Sequence, residues 1–588
     1  MSLLLTCDLE RSVLRTRARA SIQKFLIVVL AACVFGEQFS PAEQLTSNTA
    51  PALPIPVLKG VVFVSDPSSV RHEGVNATGI SIYGLEMLDR AAFRKLAASY
   101  LGQPLTRACI AELTHAVVNF YRAHGRPLVD VITPEQDVQS GAVQIVVTEF
   151  HVGEIRTEGN RWFSPKVVAA PLSLRHGDVV DINDLLGQLD TANSNPFRRV
   201  NLIYRPGAER GYTDLVLQTQ DRFPLRISGG YDNSGTTSTG HNRWNLGVTW
   251  GNALWHDQQL SYQFTSSTNF WTDAVGVGPP GSPSFTSHSL SWTMPLPDRR
   301  TLTIFGSYEQ AHPNIGAAFG LLGRSAQASL RYSIALPRTE ALVESFQAGY
   351  DFKTTNNNLD FGGTQVSHNS TEIDQFPIAY SATVTDRWGV TNMATRLVLS
   401  PGRMTPNNND AAFQPAPGQS GRVAAAADYV YWRSDLGRVT KLPGQAAWLF
   451  RFIGQTSDRS LLATEQLAGG GPDILRGYDP YAVIGDQGIM LSNELQSPTF
   501  SRHTENLRST LMGQTQLVAF WDYASLHNKH AAAGNLIADL NASSAGLGVR
   551  YNIRTHASVH VDYGWQLLRL PGTSARGRLA SISINIGN

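Results

Sequence analysis

From Leu225 onward the chain alternates, residue by residue, between an apolar face and a polar one. Leu225, Ile227, Gly229 and Tyr231 share one side, as do Trp244, Leu246, Val248 and Trp250, then Leu260, Tyr262 and Phe264, then Leu290, Trp292 and Met294. The pattern returns at Phe346, Ala348, Tyr350 and Phe352, at Trp448, Phe450 and Phe452, at Leu547, Val549, Tyr551 and Ile553, and at Val559, Val561, Tyr563 and Trp565. A period of two is that of a β-strand. The opposite faces are mostly Ser, Thr, Asn, Gln, Arg and Gly. A greasy outer face, a polar inner face and aromatic residues toward strand ends are what a bilayer demands of a sheet, because every backbone group must be paired and the lipid side must be apolar. A soluble β-sandwich uses the same alternation but gives no reason for Trp or Tyr on nearly every apolar face. Residues 222–588 divide into about 16 units of roughly 23 residues, close to a spanning strand of about 9 to 11 residues plus a connection. The expected fold is therefore a membrane all-β barrel of about 16 antiparallel strands.

Composition narrows the rest. Charged residues are 16% of the chain, below the roughly 25% of an ordinary soluble protein, and 48 Lys+Arg against 47 Asp+Glu leave a net charge of +1. That balance carries no footprint for nucleic acid. No segment after the leader offers the run of about 18 apolar residues that a spanning helix needs. The three cysteines are Cys7, Cys33 and Cys109; the first two fall in the leader, so neither a disulfide framework nor a cysteine-ligated zinc site is available. Phosphate-loop, nucleophile-elbow and His-Glu-x-x-His patterns are all missing. Gly469-Gly470-Gly471 is followed by no helix signature and serves better as a flexible entry to a loop, and His527 and His530 read as surface residues of a loop after Tyr523. No catalytic residue, cofactor or metal is expected.

Residues 1–36 read as a signal peptide, with Arg11, Arg15, Arg17, Arg19 and Lys24 ahead of the apolar run Phe25 to Phe35, the order of a secretory leader. Cleavage is expected near Gly36 to Ala42. Leu30-Ala31-Ala32-Cys33 also fits a lipid-attachment box, which leaves that route open. Residues 37–56, with Pro41, Pro51, Pro54 and Pro56, read as a linker. Two small α+β modules follow, over 57–149 and 150–221. In the first, Val57 to Val64 reads as a strand. A helix from near Asp89 places Phe93, Leu96, Ala97 and Tyr100 on one face, and a second, capped by Thr106, places Ile110, Leu113, Val117 and Phe120 on one face and stops at Gly125. Strands at Val129 to Thr133 and Val143 to Thr148 complete a β-α-α-β-β order, with Cys109 an inert packed thiol. The second module repeats it in shortened form: strands near Val152 to Arg156, Val200 to Tyr204 and Asp214 to Thr219, and a helix near Asp181 to Ala192 with Leu185, Leu186 and Leu189 inward. Two such units after a signal peptide resemble POTRA domains, the periplasmic receptor modules of outer-membrane transport barrels.

Three further segments resemble the two-partner secretion transporters, outer-membrane barrels of the haemolysin/haemagglutinin secretion and activation type. Asn195-Pro196-Phe197-Arg198-Arg199-Val200, followed by Tyr204-Arg205-Pro206-Gly207, is similar to the end of that family's second POTRA domain. Tyr231-Asp232-Asn233-Ser234-Gly235 with Gly240, then Gly251-Asn252-Ala253-Leu254 and Asp257, is similar to its first barrel hairpin. Leu475-Arg476-Gly477-Tyr478, between Gly469-Gly470-Gly471 and Gly485-Asp486-Gln487-Gly488, matches the Arg-Gly-aromatic motif of a long loop, here about 466–488, that folds back into the barrel. The motif's usual wall partner is Phe-x-Asp-x-Gly; Phe520-Trp521-Asp522-Tyr523-Ala524 departs from it at the last residue. Alternation alone puts Phe520, Asp522 and Ala524 on one face and Trp521 and Tyr523 on the lipid face.

The resemblance implies a barrel-loop lock made of Arg476, Gly477, Tyr478, Phe520 and Asp522, with Arg476 paired to Asp522 and Tyr478 beside Phe520. It implies a bacterial outer-membrane translocator whose POTRA pair, in the periplasm, captures an unfolded exported partner and passes it through the pore without nucleotide hydrolysis. Its partners would be a large secreted haemolysin/haemagglutinin-like, β-helical protein bound at surfaces within 57–220, the outer-membrane lipids, and the barrel assembly machinery during biogenesis. A barrel assembly factor of the same fold usually carries more POTRA copies, and a diffusion porin carries none. The sequence departs from the family in two places: residues 37–56 show no amphipathic helix to plug the pore, and Ile582 to Asn588 end without an aromatic residue.

Overall fold

The computed structural model describes residues 55–587 apart from 268–283, 313–318, 340, 362–363, 368–369, 415–421, 501–512, 532–536 and 555. The signal peptide, nearly all of the linker and the question of a plug helix lie outside the described residues.

The first module is built on β1 (Gly60–Val64), β2 (Gly79–Tyr83), α1 (Ala91–Ala98), α2 (Arg107–Ala123), β3 (Val129–Ile132) and β4 (Ala142–Glu149), with sheet order β2-β1-β4-β3. All five residues of β1 are buried. Val61 and Phe63 face the helices with Phe93, Leu113 and Val117, while Val62 and Val64 are covered from the other side by Val70, Val75 and Ala77. A strand covered on both faces reads as a continuous apolar run, not as an alternation. Thr106 caps α2 by accepting a hydrogen bond from the Cys109 N–H at 3.2 Å, and Gly125 (φ 79°) ends it in a left-handed turn. The expected order lacks β2. This strand runs parallel to β1 and is reached by the crossover 65–78, about the dozen residues that a parallel connection needs. Leu96 is also displaced from its expected face: it is exposed, while Phe93 and Ala97 are buried.

The second module comprises β5 (His151–Glu158), α3 (Pro165–Ala169), α4 (Ile182–Ala192), β6 (Arg198–Pro206) and β7 (Tyr212–Asp221). Its order, β5-β7-β6 with β5 parallel and β6 antiparallel to β7, repeats β1-β4-β3 of the first module, so β2 is an added edge strand. Asp181 caps α4 by accepting from the Asn183 N–H at 2.9 Å. Leu185 is buried and Leu189 packs on the core, whereas Leu186 lies at its margin.

From Leu225 sixteen antiparallel strands form a closed barrel, with a short strand Thr364–Ser367 extending one hairpin. The first is β8 (Leu225–Asp232), followed by β9 (Arg243–Ala253) and β10 (Gln258–Ser266); the last, Arg578–Gly587, pairs back onto β8. Trp244, Trp432, Trp448, Trp521 and Trp565 are exposed on the outside, and Asp351, Asp374, Gln375 and Asp522 are buried within. The strand Arg578–Gly587 pairs with its neighbour Ala557–Gln566 over nine residues and contains no aromatic residue.

Candidate functional site

Between strands Ala447–Ser457 and Gln487–Gln496, neighbours in the barrel wall, the chain leaves the rim far from the two modules and turns back into the lumen. It is not a loose loop. Leu467–Gly469 pairs antiparallel with Val483–Gly485, and Leu467, Ile474, Leu475, Tyr478 and Val483 form a buried cluster with wall residues Met490, Ala524, Leu526 and Ala542. The apolar seat holds Leu475 in a left-handed conformation (φ 63°) that costs a residue with a Cβ about 1 to 2 kcal/mol, and that turn directs Arg476 at the wall.

The guanidinium of Arg476 donates from Nε to Asp522 Oδ2 at 2.9 Å and from Nη2 to Asp522 Oδ1 at 3.0 Å, while the Arg476 backbone N–H donates to Asp522 Oδ2 at 2.9 Å. The two parallel side-chain bonds fix orientation as well as distance. Ser492 Oγ donates to Asp522 Oδ1 at 2.7 Å, and Arg476 Nη1 donates to Glu494 Oε2 at 2.5 Å. Glu494 is shared with Arg550, which also donates to Asp562 at 2.7 Å. The Phe520 ring lies under the guanidinium, 3.7 Å from its carbon to the ring centroid, and Asp522 is fully buried. Removing Arg476 would strand the buried Asp522 charge, at a cost of about 3 to 5 kcal/mol, whereas removing Asp522 would leave Arg476 paired with Glu494.

Gly477 (φ 96°) carries the turn. Its backbone lies against Gly564 of the wall, and Gln566 Nε2 donates to the Gly477 carbonyl at 2.9 Å. The Tyr478 ring enters the apolar seat and its hydroxyl sits between the Ser543 and Leu568 carbonyls, 2.9 and 2.5 Å away, either of which can accept its one proton. Of the five residues expected at the lock, Arg476, Phe520 and Asp522 form one contact, and Gly477 and Tyr478 fix the adjacent turn.

A second buried carboxylate secures the base of the loop. Asp486 accepts from the Leu461 N–H at 2.9 Å, the Lys529 N–H at 2.8 Å, Gln466 Nε2 at 3.1 Å and Arg422 Nη2 at 2.8 Å. It thereby ties both ends of the infolded loop to two neighbouring far-end loops. Sequence reading placed Asp486 in a motif but gave it no partner. It missed Ser492, Glu494, Arg550, Asp562 and Gly564 altogether; the available signal was two acids and an arginine in mid-strand on inward faces.

At the other end, two segments singled out for resemblance meet each other. Arg198 donates to both oxygens of Asp257, at 2.7 and 2.6 Å, and to the Ala192 carbonyl at 2.7 Å. Asn195 Nδ2 donates to the Gly251 carbonyl at 2.5 Å and to Asp257 at 2.8 Å. The Phe197 ring occupies the space beside Gly251, where a Cβ would lie 2.0 Å from it. Burial pushes the Asp257 carboxyl up, against the pull of Arg198. Asp184 and Asp190 of α4 form further ion pairs with Arg299 and Arg338 on barrel turns.

Comparison with known proteins points one way. The profile of the haemolysin secretion/activation proteins ShlB/FhaC/HecB matches residues 211–551, and that of the ShlB-type POTRA domain matches 75–149. The outer membrane transporter CdiB of Escherichia coli is 22% identical over 472 residues, covering 79% of this chain and 75% of its own. The hemolysin transporter protein HpmB of Proteus mirabilis is 23% identical over 444 residues, 72% of each chain. Among solved structures, CdiB from Escherichia coli superposes with a TM-score of 0.70 at 19% identity, covering 93% of both chains, which bears on the fold alone.

Proposed function

The chain belongs to the haemolysin secretion/activation protein family, and from that premise we propose how it moves its cargo. It is an outer-membrane β-barrel transporter of a secreted partner protein, in the two-partner arrangement. The two modules lie in the periplasm and hold the partner unfolded, as an extended segment added along a sheet edge or laid in a helix-strand groove. There main-chain pairing supplies affinity and side-chain pockets supply selectivity. The partner is a large haemolysin/haemagglutinin-like, β-helical protein. It passes through the lumen without nucleotide hydrolysis and without any catalytic step in the transporter. The outer face meets outer-membrane lipids, and the barrel assembly machinery inserts it.

The observation that carries this reading is the infolded loop, fastened to the inner wall by Arg476 and Asp522, in a barrel whose near rim is fixed to the modules by Arg198 and Asp257. A diffusion porin has no use for such modules. The test is secretion from cells making the full chain together with a candidate partner, a very large exported protein of the haemolysin/haemagglutinin type. The partner should reach the medium only with the transporter present, and calorimetry with the purified full chain should detect the partner's amino-terminal part and not its distal repeats. Equal export without residues 57–221 would refute the receptor role.

A further inference from the structure

The first and last barrel strands share the shortest ladder in the wall. Ser228–Asp232 faces Ser583–Gly587 over five residue pairs; among the described residues, and with the short hairpin extension Thr364–Ser367 set aside, every other join between neighbouring wall strands runs over at least eight. The ladder stops because the first strand turns away. The Ser234 N–H donates to Asp232 Oδ1 at 3.0 Å, and the Gly235 N–H donates to the His241 carbonyl at 2.8 Å across its own hairpin. The last strand continues outward, with Ile582 and Ala580 exposed, and its backbone there would be left without a partner, which a bilayer does not tolerate.

Asn233 occupies that gap. Its N–H donates to the Ile582 carbonyl at 3.2 Å, as a ladder residue should. The reciprocal bond is made by its side chain: the Ile582 N–H donates to Asn233 Oδ1 at 2.7 Å. Asn233 Nδ2 then donates to the Ala580 carbonyl at 2.7 Å, the bond that the Gly235 N–H would make if the strand ran on. A carboxamide carries the donor and acceptor of a peptide group. We propose that Asn233 is a positioning residue that closes the barrel, its side-chain amide standing in for the missing peptide group of the first strand and extending the weakest join.

The test is the temperature at which the full chain, purified in detergent, loses its compact form on an unboiled gel, read at pH 7.5 and pH 3.0. Asn233→Ala should lower that temperature by several degrees at both. Asn233→Asp should match it at pH 7.5, where a second carboxylate oxygen confronts the Ala580 carbonyl, and should recover at pH 3.0, below the ordinary aspartate pKa of about 3.9, where a protonated carboxyl can again donate. Equal melting of Asn233→Ala and the unaltered protein, or an Asn233→Asp protein that does not recover more than Asn233→Ala on acidification, overturns the proposal. If Asn233→Ala fails to insert, a disulfide between register partners Tyr231→Cys and Ile584→Cys should restore insertion; failure of that rescue overturns it equally.

Discussion

Gly477 and Gly564 meet backbone to backbone: a Cβ on Gly564 would lie 2.7 Å from the Gly477 nitrogen and 2.8 Å from the Arg476 carbonyl carbon. The wall opposite the loop tip therefore has no room for a methyl group, and backbone cannot yield as a flexible side chain can. Gly564→Ala should displace Arg476 from Asp522 and reduce partner secretion several-fold while the barrel still inserts. Secretion measured at matched transporter levels decides it, and unchanged export would mean that the loop tip can shift without consequence.

Arg476→Ala and Asp522→Ala should each abolish or sharply reduce secretion and alter channel conductance in planar bilayers. The charge-swapped pair, Arg476→Asp with Asp522→Arg, should recover only part of the loss. Aspartate at 476 would face Glu494, which now accepts from Arg476 at 2.5 Å, and like charges at that distance repel. Full recovery by the swap would show that Glu494 contributes nothing.

The junction at Arg198 and Asp257 should behave as a rigid joint. Arg198→Ala should expose the connection after Asp221 to limited proteolysis in the purified full chain, and Arg198→Lys should not restore protection, because an ammonium cannot reproduce two parallel bonds to one carboxylate. Protection equal to the unaltered protein in both variants would count against the joint.

Cys109 should be silent. It is 6% exposed among Leu113 and Val117, and burial, with Glu112 adding to it, pushes its thiol pKa up. The reactive thiolate, substantial for an ordinary cysteine at pH 8, is therefore suppressed there. In a full chain with Cys7→Ser and Cys33→Ser, a disulfide-exchange reagent at pH 8 should report no reactive thiol until denaturant is added. Prompt labelling in the folded protein would place the thiol elsewhere.

How much of this was legible depended on what sets each residue apart. The strands announce themselves because lipid on one side and a polar lumen on the other impose strict alternation, and Asp522 is readable because it interrupts nothing: it lies on the polar face, between Trp521 and Tyr523. The same regularity hides Ser492, Glu494, Arg550 and Asp562, since inward polar residues recur along the barrel and only the path of the loop selects these. The strand β2 escaped because Gly79-Ile80-Ser81-Ile82-Tyr83 is an added edge, with only Ile80 and Ile82 against the core and no fully buried residue to set it off from the loop before it. The helix α3, five residues capped by Ser164 and opening on Pro165, is too brief to show a period. The meeting of Asn195, Phe197 and Arg198 with Gly251 and Asp257 spans about sixty positions, and each motif was visible alone while their contact was not.

The partners of the infolded loop have a further consequence, for the order of folding. Apart from the seat's own residues, nearly everything that grips the loop tip comes later in the chain: Ser492, Glu494, Phe520, Asp522, Ser543, Gly564, Gln566 and Leu568. Contacts so distant in sequence form late, after the segments between them have been ordered. Arg476 cannot find its site until the wall strands that carry Asp522, Ser543 and Gly564 exist, so a seated loop is a signature that the barrel has been built as far as Gln566, and a chain interrupted before that point would leave its pore without a fastened occupant.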